Sequence, residues 1–202
     1  MKKTALVIGA SHAGAQVVTS LRQEGWDGDI VVIGEEPHLP YHRPPLSKTF
    51  LAGDKTTAEL AIRPSAFYEK NDIQFRQGRV TAIDRQHQAI TLSDGAELAY
   101  DKLALCMGAR VRRVELPGSE LKGVHYLRNI ADVEGIQAEL AQAKTAVIIG
   151  GGYIGLETAA SLRKQGLQVV VLEMAERILQ RVTAPELSAF YARVHGEEGV
   201  QI

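Results

Sequence analysis

The sequence predicts an α/β fold in which one β-α-β unit occurs twice along the chain. Two stretches match each other, TALVIGASHAGAQVVTSLRQEGWDGDIVVIGEE and TAVIIGGGYIGLETAASLRKQGLQVVVLE. Each contains a short β-branched run, a glycine-rich turn, a segment ending in SLR-x-x-G, and a second run ending in glutamate. Between the two copies, a third segment alternates apolar and polar residues, which is typical of antiparallel strands.

Each copy is predicted to form a strand, a helix and a second, parallel strand. The runs at 5–8 and 146–149 are short and apolar, as strands buried on both faces require. A glycine is expected to end each helix, Gly25 in the first copy and Gly166 in the second, because glycine tolerates the left-handed conformation found there. The repeat therefore predicts two Rossmann-like units, each a three-layer β/β/α or α/β arrangement.

The glycine-rich turn of the second copy has the pattern of a dinucleotide-binding loop. Its glycines permit a tight turn, close approach of the backbone to a pyrophosphate, and close packing of helix on strand, while the helix N-terminus supplies N–H donors. A glutamate 23 residues after the first glycine would accept ribose hydroxyls and repel a 2′-phosphate, which favours NADH over NADPH. The predicted binding residues are Gly150, Gly152, Ile154, Gly155 and Glu173.

The first copy departs from this pattern at one position. It has serine where the second glycine stands, and its glutamate follows 26 residues after the first glycine. The serine is expected to fit if the phosphate tilts or accepts a hydrogen bond from the hydroxyl. One such loop can also be a tight turn that binds nothing, but two in one chain, each with its acid, favour dual dinucleotide binding. The predicted residues here are Gly9, Ser11, Ala13, Gly14 and Glu35.

Three further elements are predicted from local pattern. Residues 73–105 alternate in polarity around an Asp94-Gly95 turn, which predicts a small antiparallel insert. The sequence Thr183-Ala184-Pro185-Glu186 has the form of a capping box, and apolar residues at helical spacing follow it. A last strand is expected after Gly199.

Composition limits the classes of function. The 202 residues are 45% hydrophobic and 23% charged with a formal net charge of −1, so nothing favours nucleic acid or an anionic membrane as partner. A single cysteine excludes an internal disulfide, and the six histidines show no metal-ligand spacing. The opening MKKTALVIGAS imitates a signal peptide but is better explained as a strand and its glycine turn. No apolar run reaches the ~18 residues of a membrane span, and we expect a cytoplasmic protein.

The two units, with YHRPPLSK after the first and GGGYIGLE in the second, resemble the FAD-dependent pyridine-nucleotide reductases. Within that group, residues 3–202 resemble the NADH-dependent ferredoxin reductases of oxygenase systems, of the putidaredoxin and rhodocoxin reductase kind. The resemblance implies a glutathione-reductase-like fold, truncated here, with an FAD-binding domain at 1–112 and an incomplete NAD-binding domain at 113–202. Members of the family continue for about as long again.

The resemblance also implies a catalytic pair. Pro44 and Pro45 restrict the backbone and are expected to position Lys48 near the flavin N5. A buried lysine needs a partner, because leaving one charge of a buried pair alone costs ~3–5 kcal/mol. Glu157 occupies the family's position for that partner, so a contact is expected between residues 109 apart in sequence.

Other site residues carry over from the family one at a time. The resemblance implies that Val80 meets the adenine through its backbone, that Arg128 lies near the cofactor, and that Gly108 remains from a segment usually written A-T-G. Arg43 is expected either to reach phosphate or flavin, or to be solvated. Cys106 is expected to fill apolar space rather than act as a nucleophile. His12 and His42 border the site, and both are expected to bond backbone or water rather than carry a catalytic proton.

The expected function is that of an FAD-dependent NADH:ferredoxin reductase, which passes electrons to an iron–sulfur partner of an oxygenase or cytochrome P450 system. Three alternatives stay open. A disulfide-, peroxide- or oxygen-reducing relative would need a cysteine between residues 33 and 50, where this sequence has none. A monodehydroascorbate reductase-like enzyme shares the P-x-L-S-K element, and a nucleotide-binding fragment would keep the loops without turnover. An uncovered sheet edge would also invite self-association.

Overall fold

The structure is a computed structural model that describes residues 2–202, and the chain folds into two compact units. The first unit comprises the residues up to His42 together with Leu60–Arg110, and the second comprises Arg43–Glu59 together with Val111–Ile202. The division into domains at residue 112 stays a prediction. No helix within residues 2–202 is both long enough and apolar enough to cross a membrane.

The α-helices and strands follow one another in the order of the predicted repeat. They are β1 (Thr4–Ile8), α1 (His12–Gln23), β2 (Asp29–Gly34), α2 (Ser65–Lys70), β3 (Ile73–Gln77), β4 (Val80–Asp84), β5 (Ala89–Leu92), β6 (Glu97–Ala99), β7 (Lys102–Leu105), α3 (Ile130–Leu140), β8 (Thr145–Ile149), α4 (Tyr153–Lys164), β9 (Gln168–Leu172), α5 (Pro185–Glu197) and β10 (Val200–Gln201). Short 3₁₀ helices occupy Pro44–Ser47 and Thr57–Leu60.

The first unit is built on a parallel sheet with strand order β3-β2-β1-β7. Strand β1 lies in its middle, and its two faces pack against different layers. Ala5 and Val7 belong to one buried cluster with Val18 of helix α1, whereas Leu6 and Ile8 pack with Ile90 and Leu92 of the antiparallel strands. This unit therefore has the predicted β/β/α layering, and its central strand is apolar on both faces because both are covered.

The antiparallel insert is present but shorter than the sequence predicts. It consists of β4, β5 and β6, and its last turn contains Gly95 in the left-handed region at φ 84°. The expectation that residues 73–105 all belong to it is wrong, because β3 and β7 pair in parallel with β2 and β1. Alternating polarity indicates a half-buried strand, but it does not say which strand will be the neighbour.

The second unit contains a three-stranded parallel sheet in the order β10-β9-β8. Helix α4 joins β8 to β9, so the unit repeats the β-α-β connection of the first. On β9, Val169 and Val171 are buried. On the opposite face of the sheet, Val147, Ile149 and Leu172 are exposed among the described residues. That face corresponds to the one that the insert covers in the first unit.

Both repeat helices end in the same way, as the glycines predict. Gly25 and Gly166 adopt left-handed conformations at φ 83° and 91°. In each case the glycine N–H and the N–H of the following residue bond back to carbonyls of the last turn, which is the Schellman arrangement. The arginine of each SLR segment then donates to backbone carbonyls: Arg22 to Trp26 and Gly28, and Arg163 to Leu167 and Glu198. The repeated arginine thus stabilises the backbone that follows each helix.

The predicted capping box before α5 is wrong, although the helix itself forms. The N-cap residue is Ala184, and the hydroxyl of Thr183 donates instead to the Leu179 carbonyl. Proline at the first helical position explains the start of the helix, because its fixed φ suits that site. A reciprocal capping box occurs at α3, where Asn129 and Asp132 each accept from the other's backbone N–H.

Candidate functional site

The two glycine loops have nearly identical backbone geometry. Gly9 and Gly150 lie in the left-handed region at φ 115° and 112°. A Cβ added to Gly14 would lie 2.0 Å from the Gly9 carbonyl oxygen, and a Cβ added to Gly155 would lie 2.0 Å from that of Gly150. Each helix can therefore approach its strand only if this residue is glycine, which is the packing role expected of the third glycine in the pattern.

The second position of the pattern differs between the loops, as the sequence indicates. Ser11 and Gly152 are the N-cap residues of α1 and α4, both with extended backbone. Among the described residues, a Cβ at Gly152 would meet no heavy atom within 4 Å, so this position faces open space next to the helix N-terminus. Ile154 lies in the first turn of α4 and is 55% exposed. The loops are thus cradles of backbone N–H groups that a phosphate can approach.

The two acids are not at equivalent positions. Gly9 N–H bonds to the Ile33 carbonyl and Gly150 N–H bonds to the Leu172 carbonyl, both at 2.8 Å. The residue after Leu172 is Glu173, whereas the residue after Ile33 is Gly34 and the acid comes one position later. The number of residues between glycine and acid did not reveal this offset, because the connection between the two parallel strands is longer in the first copy.

The two loops also differ in where a glycine is needed for lack of space. A Cβ added to Gly34 would lie 2.6 Å from the Cβ of Ala10, so glycine is needed on the strand side of the first loop. In the second loop the glycine is on the other side: a Cβ at Gly151 would lie 2.6 Å from Ile178 Cγ2 and 3.2 Å from Glu173 Oε2. Sequence analysis missed Gly151, although three consecutive glycines were the available signal.

Glu173 is held by backbone N–H donors. Its Oε1 accepts from the Ala175 N–H at 2.9 Å, and its Oε2 accepts from the Gly151 N–H at 2.8 Å. These bonds, that of Ala175 first, lower the pKa of the carboxyl below its ordinary value. The carboxylate therefore fastens the glycine loop to the end of β9, and its remaining lone pairs can still accept ribose hydroxyls.

The predicted adenosine residues of the first unit lie at the end of strand β2 and the start of strand β4. Glu35 directly follows β2, and its Oε1 lies 3.3 Å from Nε of Arg79 in an exposed ion pair. Val80 follows as the first residue of β4, where its backbone pairs with Leu92 next to an irregularity in the register. Arg79 was not predicted, and its only sequence signal is that it precedes Val80.

The ion pair predicted between Lys48 and Glu157 is present within the second unit. Lys48 Nζ lies 2.6 Å from Glu157 Oε2, and Nζ also donates to the Pro44 carbonyl at 3.1 Å. The side chains are 45% and 34% exposed. The expectation of a buried lysine is therefore wrong, and the cost of an uncompensated buried charge does not apply at full strength.

The segment before Lys48 is a 3₁₀ helix, Pro44–Ser47, that packs on α4. The two prolines begin it, as their restricted φ favours. Ser47 is buried, and its hydroxyl donates to Glu157 Oε2 at 2.6 Å, while the Ser161 hydroxyl donates to the Ser47 carbonyl at 2.8 Å. Sequence analysis missed both serines, because nothing local indicates that residues 114 apart will meet.

Arg43 and Arg128 are neighbours in the second unit. The Arg43 Nη1 donates to the Arg128 carbonyl at 2.7 Å. Arg43 has other contacts besides this one. The Arg128 N–H in turn bonds to Asp132 at 2.8 Å. The bond to the Arg128 carbonyl anchors one end of the Arg43 guanidinium, and the role of Arg43 toward phosphate or flavin stays a prediction.

Cys106 lies beside the first glycine loop, and Gly108 follows two residues later. The Cys106 N–H bonds to the Ile8 carbonyl at 2.7 Å, and a Cβ at Gly9 would lie 2.0 Å from the Cys106 carbonyl oxygen. Cys106 packs against the core, and burial raises the pKa of its thiol, which disfavours a thiolate. The prediction that Cys106 is an apolar filler agrees with both observations. Gly108 is left-handed at φ 65°.

His12 and His42 contact each other in the first unit. His12 Nε2 lies 3.3 Å from His42 Nδ1, an interaction that sequence analysis did not predict. His12 is the first residue of α1, so this contact lies at the N-terminus of the helix that follows the first glycine loop.

Comparison with known proteins identifies what this chain resembles. The family model described as pyridine nucleotide-disulphide oxidoreductase matches residues 3–202. The chain is 42% identical over 198 residues to a ferredoxin–NAD(P)(+) reductase of Sphingomonas sp, covering 98% of the chain and 48% of the relative. It is also 42% identical over 201 residues to the putidaredoxin reductase of Pseudomonas putida, covering 98% of the chain and 48% of the relative.

A solved structure gives the same result for the fold. The ferredoxin reductase for the CYP199A2 system from Rhodopseudomonas palustris superposes with a TM-score of 0.95 at 40% identity. This match covers 98% of the present chain and 49% of the solved one. The chain thus spans about half the length of the curated relatives it matches, and the predicted α/β fold with two Rossmann-like units is confirmed.

Proposed function

Because the chain belongs to the pyridine nucleotide-disulphide oxidoreductase family, we propose that it provides the FAD- and NADH-binding residues of a ferredoxin reductase. The observation that carries the proposal is 42% identity to a ferredoxin–NAD(P)(+) reductase over 98% of the chain, with the Lys48–Glu157 pair in place. The proposed reaction moves electrons from NADH through flavin to a ferredoxin-type iron–sulfur protein of an oxygenase or cytochrome P450 system.

The residues present fit the two cofactors. In both loops the third glycine lets the helix pack closely on its strand, because an added Cβ would lie 2.0 Å from a carbonyl oxygen, and this packing sets the helix N-terminus that a phosphate can approach. We assign the first loop and Glu35 to FAD, and the second loop and Glu173 to NADH. FAD, when bound, accepts the hydride of NADH and releases its electrons singly.

The chain's own residues contribute positioning and charge. Lys48 carries a positive charge that we place at the flavin N5, and Glu157 orients that ammonium through a 2.6 Å contact. Val80, Gly108 and Arg128 are proposed to line the FAD site as the family resemblance implies. Glu173 favours NADH, because a carboxylate repels the 2′-phosphate of NADPH.

The rival functions have less support. A disulfide-reducing relative needs a reactive thiol, but Cys106 is the one cysteine of the 202 residues and burial raises the pKa of its thiol. The ferredoxin reductases that match nearly the whole chain favour an iron–sulfur acceptor over monodehydroascorbate. We place the reaction in the cytoplasm, in keeping with a chain that contains one cysteine.

Anaerobic flavin reduction tests the proposal. The purified chain is incubated with FAD, separated by gel filtration, and then mixed with NADH or NADPH while the flavin absorbance is followed. We expect flavin to remain with the protein. We also expect NADH to bleach it at least about tenfold faster than NADPH, because the Glu173 carboxylate repels the 2′-phosphate of NADPH. A tenfold ratio of rates corresponds to about 1.4 kcal/mol. Purified putidaredoxin then serves as the acceptor probe for reoxidation.

Two outcomes would contradict the assignment. A colourless chain after gel filtration would favour a nucleotide-binding fragment without turnover. A faster reaction with NADPH would remove the proposed role of Glu173 while leaving the FAD assignment intact.

A further inference from the structure

The buried residue Ser47 is held at two points by one face of helix α4. Glu157 and Ser161 lie four positions apart on that helix, so their side chains project from the same side. Glu157 accepts from the Ser47 hydroxyl, and Ser161 donates to the Ser47 carbonyl. One turn further along, Gln165 Nε2 donates to the Leu51 carbonyl at 3.3 Å. The segment carrying Lys48 is therefore attached to α4 on both sides of the lysine.

The two donors to Glu157 converge on one oxygen. Lys48 Nζ and Ser47 Oγ both lie 2.6 Å from Oε2, and a carboxylate oxygen has two lone pairs with which to accept both. A hydroxyl-to-carboxylate distance of 2.6 Å falls in the range of charge-assisted hydrogen bonds. The serine is 4% exposed, while the lysine and glutamate side chains are 45% and 34% exposed. The serine is thus the shielded member of the three and the one least able to move.

We propose that Ser47 is a positioning residue for the reaction: its hydroxyl fixes the Glu157 carboxylate, and the carboxylate then fixes the Lys48 ammonium. The inference rests on the proposed function in assigning Lys48 to the flavin, and it adds a residue that does not itself touch the cofactor. Without the hydroxyl, the glutamate side chain gains rotational freedom, and the exposed lysine follows it into solvent.

A double-mutant cycle tests the proposal in two readouts. The variants are Ser47→Ala, Glu157→Ala and their combination, each measured for thermal unfolding without flavin and for anaerobic bleaching of bound FAD by NADH. Hydrogen bonds to charged groups are strong, so we expect Ser47→Ala to lower the unfolding temperature by at least about 3 °C. In the Glu157→Ala background the same substitution should lower it by no more than about 1 °C, because the partner is already gone.

The kinetic readout separates positioning from packing. We expect Ser47→Ala to slow the maximal bleaching rate about tenfold while changing the NADH concentration at half-maximal rate by less than about twofold. In the Glu157→Ala background the further loss of rate should stay below about twofold. A serine with only a structural role would leave the maximal bleaching rate unchanged whatever the unfolding cycle showed, and that result would overturn the proposal.

Ser188→Ala is the matched control. Ser188 is also a buried serine of the second unit; its hydroxyl donates to the Ile178 carbonyl and accepts from Arg177 Nη1, both at 2.6 Å, and neither bond involves Lys48 or Glu157. Its substitution should lower the unfolding temperature but combine additively with Glu157→Ala. If wild-type protein failed to bleach while the unfolding cycle stayed non-additive, the proposed function would fall and the hold of Ser47 on Glu157 would stand. If instead the protein bleached normally while the unfolding effects were additive, the proposed function would stand and the hold of Ser47 on Glu157 would fall.

Discussion

Lys48 is the residue whose charge the proposed chemistry uses most directly. Its ammonium lies 2.6 Å from Glu157, and Lys48→Met keeps the length of the side chain while removing the charge. Loss of a preorganised donor costs about 10²–10³ in rate at a water-excluded site, and the 45% exposure of Lys48 reduces that effect. We therefore expect NADH to bleach bound FAD about 10- to 100-fold more slowly. Lys55→Met, which alters an exposed lysine of the same unit, serves as the control, and equal losses in both variants would contradict the assignment.

Glu173 is the residue for which the structure implies a pH dependence. Backbone N–H groups of Ala175 and Gly151 lower the pKa of its carboxyl from the ordinary 4.5, so the folded state favours the charged form. Its stabilising effect is therefore complete above pH 4.5 and is lost as the pH falls through the lowered pKa.

The Glu173→Gln variant checks this dependence. At pH 7 we expect its unfolding temperature to lie roughly 2–4 °C below that of the wild type, which corresponds to about 1 kcal/mol in a chain of this size. The difference should shrink as the pH falls from 4.5 through the lowered pKa, because the carboxyl of the unfolded chain keeps the ordinary pKa and becomes protonated first. Glu176→Gln changes an exposed neighbour and should show no such trend. A difference that stayed constant from pH 7 to pH 3 would exclude this role for the carboxylate.

The contact between helix α4 and strand β8 depends on Gly155. A Cβ at this residue would lie 2.0 Å from the Gly150 carbonyl, and backbone must shift to relieve that overlap. We expect Gly155→Ala to lower the free energy of unfolding by about 1–3 kcal/mol, the range typical of overpacked sites, and to weaken NADH binding.

For Gly196→Ala, on another helix, we expect the opposite change in the free energy of unfolding. Gly196 lies near the end of α5, where a Cβ would meet no heavy atom within 4 Å among residues 2–202. Alanine is the better helix former, so this variant should raise the free energy of unfolding by up to about 1 kcal/mol. Chemical denaturation of both variants checks the pair. A stabilised Gly155→Ala would mean that helix and strand are not in the close contact described.

Pairing between elements was predictable only where the chain repeats itself. The β1-α1-β2 and β8-α4-β9 connections follow from short apolar runs, glycine turns and helix-ending glycines, all of which act within a few residues. Strands β3 and β7 were misassigned to the insert, because their alternation is the same whether the neighbour is parallel or antiparallel. The N-cap of α5 was misplaced by one residue, since Pro185 rather than the Thr183 hydroxyl sets the start.

The exposed face of the second sheet has a consequence for the whole molecule. Val147 is 60% exposed on β8, which is an edge strand within the described residues, and Ile149 and Leu172 extend the apolar surface. Exposed apolar strands at an edge promote association. We expect the 202-residue chain, produced alone, to associate as its concentration rises, and Val147→Lys to suppress this.

Sedimentation velocity over a range of concentrations measures the effect. Val182→Lys is the matched control, because Val182 is also a valine with 59% exposure in the second unit but lies outside the sheet. Equal suppression by both substitutions would indicate a general effect of charge. Strictly monomeric wild-type chain would contradict the prediction.

The sequence by itself determined the features whose causes are local or repeated. Two glycine loops, two helix ends, the antiparallel turn at Gly95 and the expectation of a Lys48–Glu157 pair all rest on residue types at short spacing or on a family motif. These features needed no knowledge of the fold, because glycine conformation and strand or helix periodicity act over a few residues.

Only the tertiary structure decided which distant groups share a contact. Ser47 and Ser161 meet across 114 positions, the two acids after β2 and β9 prove to be offset by one residue, and Lys48 is half-exposed rather than buried. Each of these depends on how a segment of the chain packs against another one. Such packing is set by many weak contacts summed over each unit, so no single stretch of sequence carries it.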